Sequence, residues 1–135
     1  MPTIGYDALM NIPDELRYTS DHEWARAEEI GIRMGITDFA QEALGDVVFV
    51  DLPKPGEEFE KGAKIGEVES TKSVSEVYSP IAGKVVVVNS SLSDSPEIIN
   101  SDPYGEGWFC VIAPRDEKAF EELLSASKYE ELTDE

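Results

Sequence analysis

Proline and glycine cut the second half of this chain at close intervals, and that punctuation leaves room only for short strands. Val47-Val48-Phe49-Val50 reads as a buried strand. It is stopped by Leu52-Pro53-Lys54-Pro55-Gly56, because proline cannot donate to a sheet ladder. Lys61-Gly62 turns the chain again, residues 65–70 and 74–78 are strand-like, and Ser79-Pro80-Ile81-Ala82-Gly83 reverses it once more. Residues 84–88 form the most β-branched run. A polar loop over 89–96 and a tight connection, Asp102-Pro103-Tyr104-Gly105-Glu106-Gly107, lead to a last strand over 108–112.

Upstream, residues 18–27 read as a first strand. Ile30, Ile32, Met34 and Ile36 alternate with Gly31, Arg33 and Gly35, the pattern of a half-buried strand. Residues 37–45 predict a two-turn helix: Thr37 suits the N-cap, Asp38 suits the positive helix start, and Gly45 suits the stop. Near the C-terminus, Phe120, Leu123, Leu124 and Ser127 fall on one helical face, with fraying expected from Leu132 onward. Short strands at this spacing indicate a mainly β fold, a flattened barrel or sandwich of small antiparallel sheets. Pro55-Gly56 and Gly62 before one strand echo Pro80 and Gly83 before another, a faint repeat compatible with two similar half-sheets.

Composition narrows the function. The 29 Asp and Glu against 11 Lys and Arg give a formal charge of −18, spread over the whole chain and not gathered in a tail. Such a surface repels phosphate backbones and anionic lipids, so neither nucleic acid nor membrane is an expected partner. The charge serves solubility or steers the chain toward basic partners. No apolar run approaches a membrane span, and neither a signal peptide nor an Arg-rich transit peptide is visible, so a cytoplasmic location of prokaryotic type is expected. The single cysteine, Cys110, cannot form an internal disulfide and lies in an apolar run, where it reads as a small buried residue.

Catalytic constellations are missing. The lone His22 has no second histidine or nearby cysteine with which to hold a metal, and no Ser-His-Asp set can be drawn around it. Gly105 and Gly107 lack the Lys and the following helix of a phosphate loop. An independent catalyst is disfavoured.

One segment stands apart. Lys72 lies midway along residues 65–79, flanked by Thr71 and Ser73, and no other base lies between Lys64 and Lys84. Small polar neighbours suit a tight exposed turn, which would hold the ammonium out in solvent. A solvated lysine cannot act as a base near neutral pH, but once deprotonated its amine can be acylated by an enzyme that reads the hairpin. Acylation would remove the charge and hang a cofactor on a long stem, leaving the protein to position it.

Here the residues resemble a known family. Glu69-Ser70-Thr71-Lys72-Ser73, followed by Ser75-Glu76-Val77-Tyr78-Ser79-Pro80 and Gly83, looks like the lipoyl-lysine hairpin of the glycine cleavage system H-protein family. So do Tyr18-Thr19-Ser20-Asp21-His22-Glu23-Trp24, Gly35-Ile36-Thr37-Asp38-Phe39-Ala40-Gln41, the run from Leu44 to Pro53, and the run from Ile99 to Trp108. The likeness spans residues 16–132 in order and spacing. Lipoyl and biotinyl carriers at large share the hairpin but lack the His-Glu-Trp and Asp-Pro-Tyr-Gly-Glu-Gly-Trp segments.

The resemblance implies a fold of lipoyl/biotinyl-carrier type with a short helix near 37–44 and a C-terminal helix. It divides the chain into an N-terminal extension (1–15), a lipoyl-carrier domain (16–114), and a C-terminal helix and acidic tail (115–135) packed on that domain. It implies a carrier and not an enzyme, a monomer with lipoate in amide linkage to Lys72. Glycine decarboxylase (P protein) would load the aminomethyl group of glycine and release CO2. Aminomethyltransferase (T protein) would pass the methylene to tetrahydrofolate and free ammonia. Dihydrolipoamide dehydrogenase (L protein) would reoxidise the carrier, and a lipoate ligase or lipoyltransferase would install the arm. Family positions near the cargo amine match Asp21, Glu23 and Glu76, carboxylates suited to charge-assisted hydrogen bonds. Glu69, Ser70, Thr71 and Ser73 would present the hairpin.

The chain also departs from the family. Asp21 stands where many members have serine. Ala43 stands where some have histidine, so no role of that ring carries over. His22 is expected as a turn or core residue, with a pH-sensing role toward the arm as the alternative. Trp24, Tyr104 and Trp108 are expected to pack. Two other functions stay open: a lipoate relay or donor on the same fold, and a cofactor-free interaction module.

Overall fold

The computed structural model describes residues 11–133, so residues 1–10 of the expected extension and 134–135 of the expected tail lie outside the described residues. Among the described residues, nine strands form two antiparallel sheets: β1 (Arg17–Tyr18), β2 (Glu23–Glu28), β3 (Gly31–Ile36), β4 (Val47–Asp51), β5 (Glu58–Phe59), β6 (Lys64–Ser70), β7 (Val74–Tyr78), β8 (Gly83–Val88) and β9 (Cys110–Pro114). One sheet has six strands in the order β1-β2-β3-β9-β8-β5, and the other has three in the order β4-β6-β7. The fold is therefore mainly β, as expected, but the sheets do not close into a barrel and are unequal. The faint sequence echo does not produce similar halves, because β2, β3 and β9 extend one sheet alone.

Between the sheets lies a core that includes Met34, Val68, Val77, Phe109 and Ile112, each at most 2% exposed. Cys110 belongs to it, and burial pushes its thiol up to about 12, consistent with an inert packing residue. A second, aromatic cluster joins Tyr18, Trp24 and Tyr129. Trp24 Nε1 donates to the Pro103 carbonyl at 3.0 Å. Its ring lies so close over Gly35 that a Cβ there would fall 2.8 Å from Nε1, so the Gly-Ile-Thr segment needs glycine at this position. Tyr104 tilts against Trp24 at 6.1 Å, and the Arg33 guanidinium sits 4.2 Å over Trp108. All three aromatics pack, as the sequence led us to expect.

The predicted internal helix forms as α1 (Asp38–Leu44), with Thr37 Oγ1 accepting from Ala40 N at 3.2 Å and Gly45 closing it. Elsewhere the structure corrects the sequence reading. The expected first strand is split by a turn over 19–22, where Thr19 Oγ1 accepts from the N–H groups of Asp21 and Glu23 and His22 takes φ 71°. Ile30 lies in the β2–β3 turn, 57% exposed, off the face its alternation implied. The expected buried strand at 47–50 carries a bulge between Val47 and Phe49, which leaves Val48 and Phe49 both 52% exposed. Single-turn helix α2 (Ser91–Asp94) occupies what read as a loop over 89–96, and α3 (Ile98–Ser101) follows it; they bury their own Leu92 and Ile99. The last strand starts at Cys110 and not at Trp108.

The C-terminal segment is not one helix. A 3-10 helix (Glu117–Glu122) gives way to extended backbone, and α4 (Ala126–Thr133) follows. The break is caused by tertiary pairing: Tyr18 and Leu124 exchange both backbone hydrogen bonds at 2.8 Å, which a helix through Leu124 would forbid. Leu132 lies within α4 and is not frayed away from it.

Candidate functional site

The hairpin built from β6 and β7 turns at Thr71, Lys72 and Ser73, all exposed. Ser70 organises the turn from below. Its backbone N–H donates to Ser73 O at 2.8 Å. Its hydroxyl accepts from the N–H groups of Lys72 and Ser73 at 3.2 and 3.1 Å and donates to Ser73 O at 3.2 Å. The turn is also tied to the rest of the molecule, since Thr71 N donates to Asp46 O at 3.1 Å. Lys72 thus stands on a fixed platform.

Its stem does not run straight into solvent as the sequence reading implied. It crosses the end of α1, where a Cβ on Gly45 would lie 3.4 Å from Lys72 Cε. Gly45 has φ 85°, so the position favours glycine for its backbone, and the Lys72 stem lies in van der Waals reach of it. Replacing Ser70 with alanine should remove the hydroxyl's bonds and destabilise the protein by about 1–2 kcal/mol. Chemical denaturation measures that loss, and a slower acylation of Lys72 should accompany it.

At the end of the hairpin away from Lys72, next to Ser79 and Pro80, lies a cleft of about 240 Å³, lined in part by Asp21, Glu23, Lys61, Leu123 and Leu124. Glu23 leaves β2 into this cleft with 2% exposure. Its carboxylate accepts from Thr19 Oγ1 at 2.5 Å and from Tyr78 N at 3.0 Å. Burial lifts Glu23 from 4.5 to about 7; its two hydrogen bonds oppose the rise, and nearby Asp21 adds to it. A carboxyl poised near neutrality at the base of a cleft is a candidate ion-binding group.

Of the three expected cargo contacts, the structure brings Asp21 and Glu23 to the cleft. Glu76 lies outside that lining, on the outer face of β7, where it accepts from the Tyr78 hydroxyl at 2.9 Å. Sequence reasoning missed Tyr78, which links the two places. Its N–H holds Glu23, its hydroxyl holds Glu76, and its phenol is raised by the bond to Glu76 first and by the charges of Glu76, Asp21 and Glu23 in turn. No local pattern marks it, because Glu23 and Tyr78 are 55 positions apart.

His22 does not line the cleft. Its ring stacks on Phe39 at 4.6 Å, and Nδ1 pairs with the Tyr129 hydroxyl at 2.7 Å. Burial lowers its pKa, with Asp21 opposing. It is a turn residue that ties β2 to α1 and α4. The cleft, its buried acid and the exposed Lys72 form an arrangement that could hold a cation at the end of a tethered arm.

A family model described as "Glycine cleavage H-protein" matches residues 16–135. A glycine cleavage system H protein of Anaeromyxobacter sp. (strain K) is 55% identical over 126 residues, covering 93% of this chain and 98% of the relative. One from Oceanobacillus iheyensis is 54% identical over 121 residues, covering 90% of this chain and 96% of the relative. The crystal structure of a glycine cleavage system H protein from Mycobacterium marinum superposes with a TM-score of 0.84 at 44% identity, covering 92% of this chain and 100% of that one.

Proposed function

Because the chain belongs to the glycine cleavage H-protein family, we infer that it works as a lipoyl carrier, with lipoate in amide linkage to Lys72. It would take the aminomethyl group of glycine from the P-protein decarboxylase to the T-protein aminomethyltransferase. Dihydrolipoamide dehydrogenase would reoxidise it, and lipoate ligase or lipoyltransferase would modify it. A cytoplasmic monomer that catalyses nothing alone completes the reading.

The observation that carries it is the setting of Lys72, an exposed amine on a braced turn at the tip of a hairpin whose other end borders a cleft with a buried acid. The residues fit the group: Lys72 stands exposed on its braced turn, and the cleft offers polar and apolar walls. When bound, lipoate supplies a disulfide that accepts a carbon fragment together with electrons and later gives up both. The chain's own residues do the rest. Glu69, Ser70, Thr71 and Ser73 present the lysine to the modifying enzyme. Asp21 and Glu23 hold the cargo ammonium by charge-assisted hydrogen bonds, and its arrival favours the ionised form of Glu23, so a proton leaves that carboxyl. Glu76 acts from the outer face through Tyr78, which shares its hydrogen bonds with Glu23. Pro80, Leu123 and Leu124 help exclude water from the labile cargo.

The test is lipoylation followed by exchange. After incubation with lipoate ligase, ATP and lipoate, the Lys72 peptide should carry a lipoyl mass. With decarboxylase present, the loaded chain should support exchange of labelled bicarbonate into glycine. Lipoylation without exchange, together with lipoyl transfer to an acceptor, would favour the relay instead; an unmodified Lys72 would leave the interaction module.

The charge of −18 gains a role in this scheme. A carrier that visits several enzymes benefits from fast, salt-sensitive encounters and no tight interface. Turnover with the partner enzymes should fall as salt rises severalfold above physiological, where screening shortens from about 8 Å. A flat salt profile in a steady-state assay would return the charge to solubility alone.

A further inference from the structure

We propose that Val48, Phe49 and Val74 form the face on which the enzyme that acylates Lys72 docks, and that this enzyme meets them with an apolar contact bordered by lysines and arginines. The proposal rests on the reading of Lys72 as the modified residue.

Three observations carry it. The first is exposure. The β4 bulge turns Val48 and Phe49 outward together, each 52% exposed, and Val74 is 58% exposed. Phe49 pairs with Glu69, and Glu69 pairs with Val74, so Phe49, Glu69 and Val74 share one face of the small sheet in a single cross-strand row. Scattered apolar residues on a surface need no explanation, but a row of them beside a functional lysine does.

The second is charge. The next row on the same face is Asp51, Glu67 and Glu76, and Glu69 sits inside the apolar row. Lys64, the base on this face, is paired with Glu67 at 2.5 Å. An apolar patch bordered on one side by carboxylates, with Glu69 inside it, complements an apolar site bordered by cations.

The third is reach. Val74 is two positions beyond Lys72, and Thr71 N is held by Asp46 O next to β4, so the lysine and the patch move as one body. Enzymes that work at the far end of a long arm can leave this surface uncovered. An enzyme that joins lipoate to Lys72 Nζ must bring its own active site to the end of a four-methylene stem. It therefore has to cover the flanks of the turn, and those flanks are Phe49 and Val74.

The experiment uses the apo chain with purified lipoate ligase, ATP and lipoate, and follows mass gain against carrier concentration. The variant Phe49→Thr/Val74→Thr keeps strand-favouring side chains but removes the apolar face. Its kcat/KM for acylation should fall roughly tenfold or more, mainly through KM. Ile30→Thr/Val86→Thr, which strips exposed apolar residues from the other sheet, should leave the rate unchanged. If the double variant fails to fold, Val74→Thr alone is read by the same assay and should lower kcat/KM severalfold. Acylation within twofold of wild type, or an equal loss in the control pair, overturns the docking face while the carrier reading stands. A wild-type chain that gains no mass overturns both.

Discussion

Lys72→Arg should yield a folded, stable protein that accepts no lipoyl group and supports no bicarbonate exchange into glycine. Arginine keeps the positive charge and most of the stem, but a guanidinium does not form the amide. Lys72 is exposed, so the substitution disturbs no core contact, and surface changes of this kind usually shift stability by less than about 0.5 kcal/mol. The platform under the residue is built from backbone groups and the Ser70 hydroxyl and should survive intact. The expected loss is therefore complete in function and nearly absent in stability. Intact mass and a denaturation curve on the same sample check both. Residual exchange with an unmodified chain would remove Lys72 from the centre of the scheme.

Glu23→Gln should have opposite effects on stability and on cargo retention. In the folded protein Glu23 titrates near 7, against 4.5 when unburied. Between those values the native state holds a proton that the unfolded state has already released, so stability falls as pH rises from 4.5 toward 7 and levels off above. The size of the fall is about 3 kcal/mol, at 1.36 kcal/mol per pH unit. Glutamine has the same shape and its oxygen accepts from Tyr78 N–H, but its amide meets Thr19 Oγ1, which already accepts from the Asp21 and Glu23 N–H groups, so part of the gain is lost to that contact. The variant should lose this pH slope and be more stable than wild type above pH 7, by up to about 3 kcal/mol. Urea unfolding at pH 5 and pH 8 measures it. The same change deprives a bound ammonium of its buried counter-ion, and ammonia should escape from the loaded carrier roughly tenfold faster or more, since charged hydrogen bonds are about twice as strong as neutral ones. A variant that is more stable yet holds its cargo as long as wild type would leave Glu23 as a structural acid only. The stability sacrificed at Glu23 is what keeps a charge available in a dry cleft.

The turn with Lys72 at its tip is legible from local chemistry. Short polar residues between two strand-like runs make a hairpin, and a lone base at its apex is exposed by necessity. The helix at 38–44 is legible for a similar reason, since Thr37, Asp38 and Gly45 carry start and stop in their own side chains. Bulges are not. Val48 faces outward because β4 and β6 pair out of step between Val47 and Phe49, and nothing within Val47-Val48-Phe49-Val50 says where its partner strand will be. The C-terminal helix breaks at Leu124 because Tyr18, more than a hundred positions earlier, claims its backbone.

The site divides along the same line. Sequence alone determined the alternation of strands and turns, the acidity of the whole surface, and the identity of the residue at the hairpin tip, because each depends on neighbours a few positions away. Tertiary structure decided the state of those groups. Glu23 titrates near neutral pH because β2 buries it in a cleft, with Tyr78 of the other sheet opposing the rise through its N–H. Lys72 lies along Gly45, and Thr71 is tied to Asp46, because the hairpin folds against the end of α1. Burial, charge state and exposure belong to contacts between distant segments, and only the assembled sheets create them.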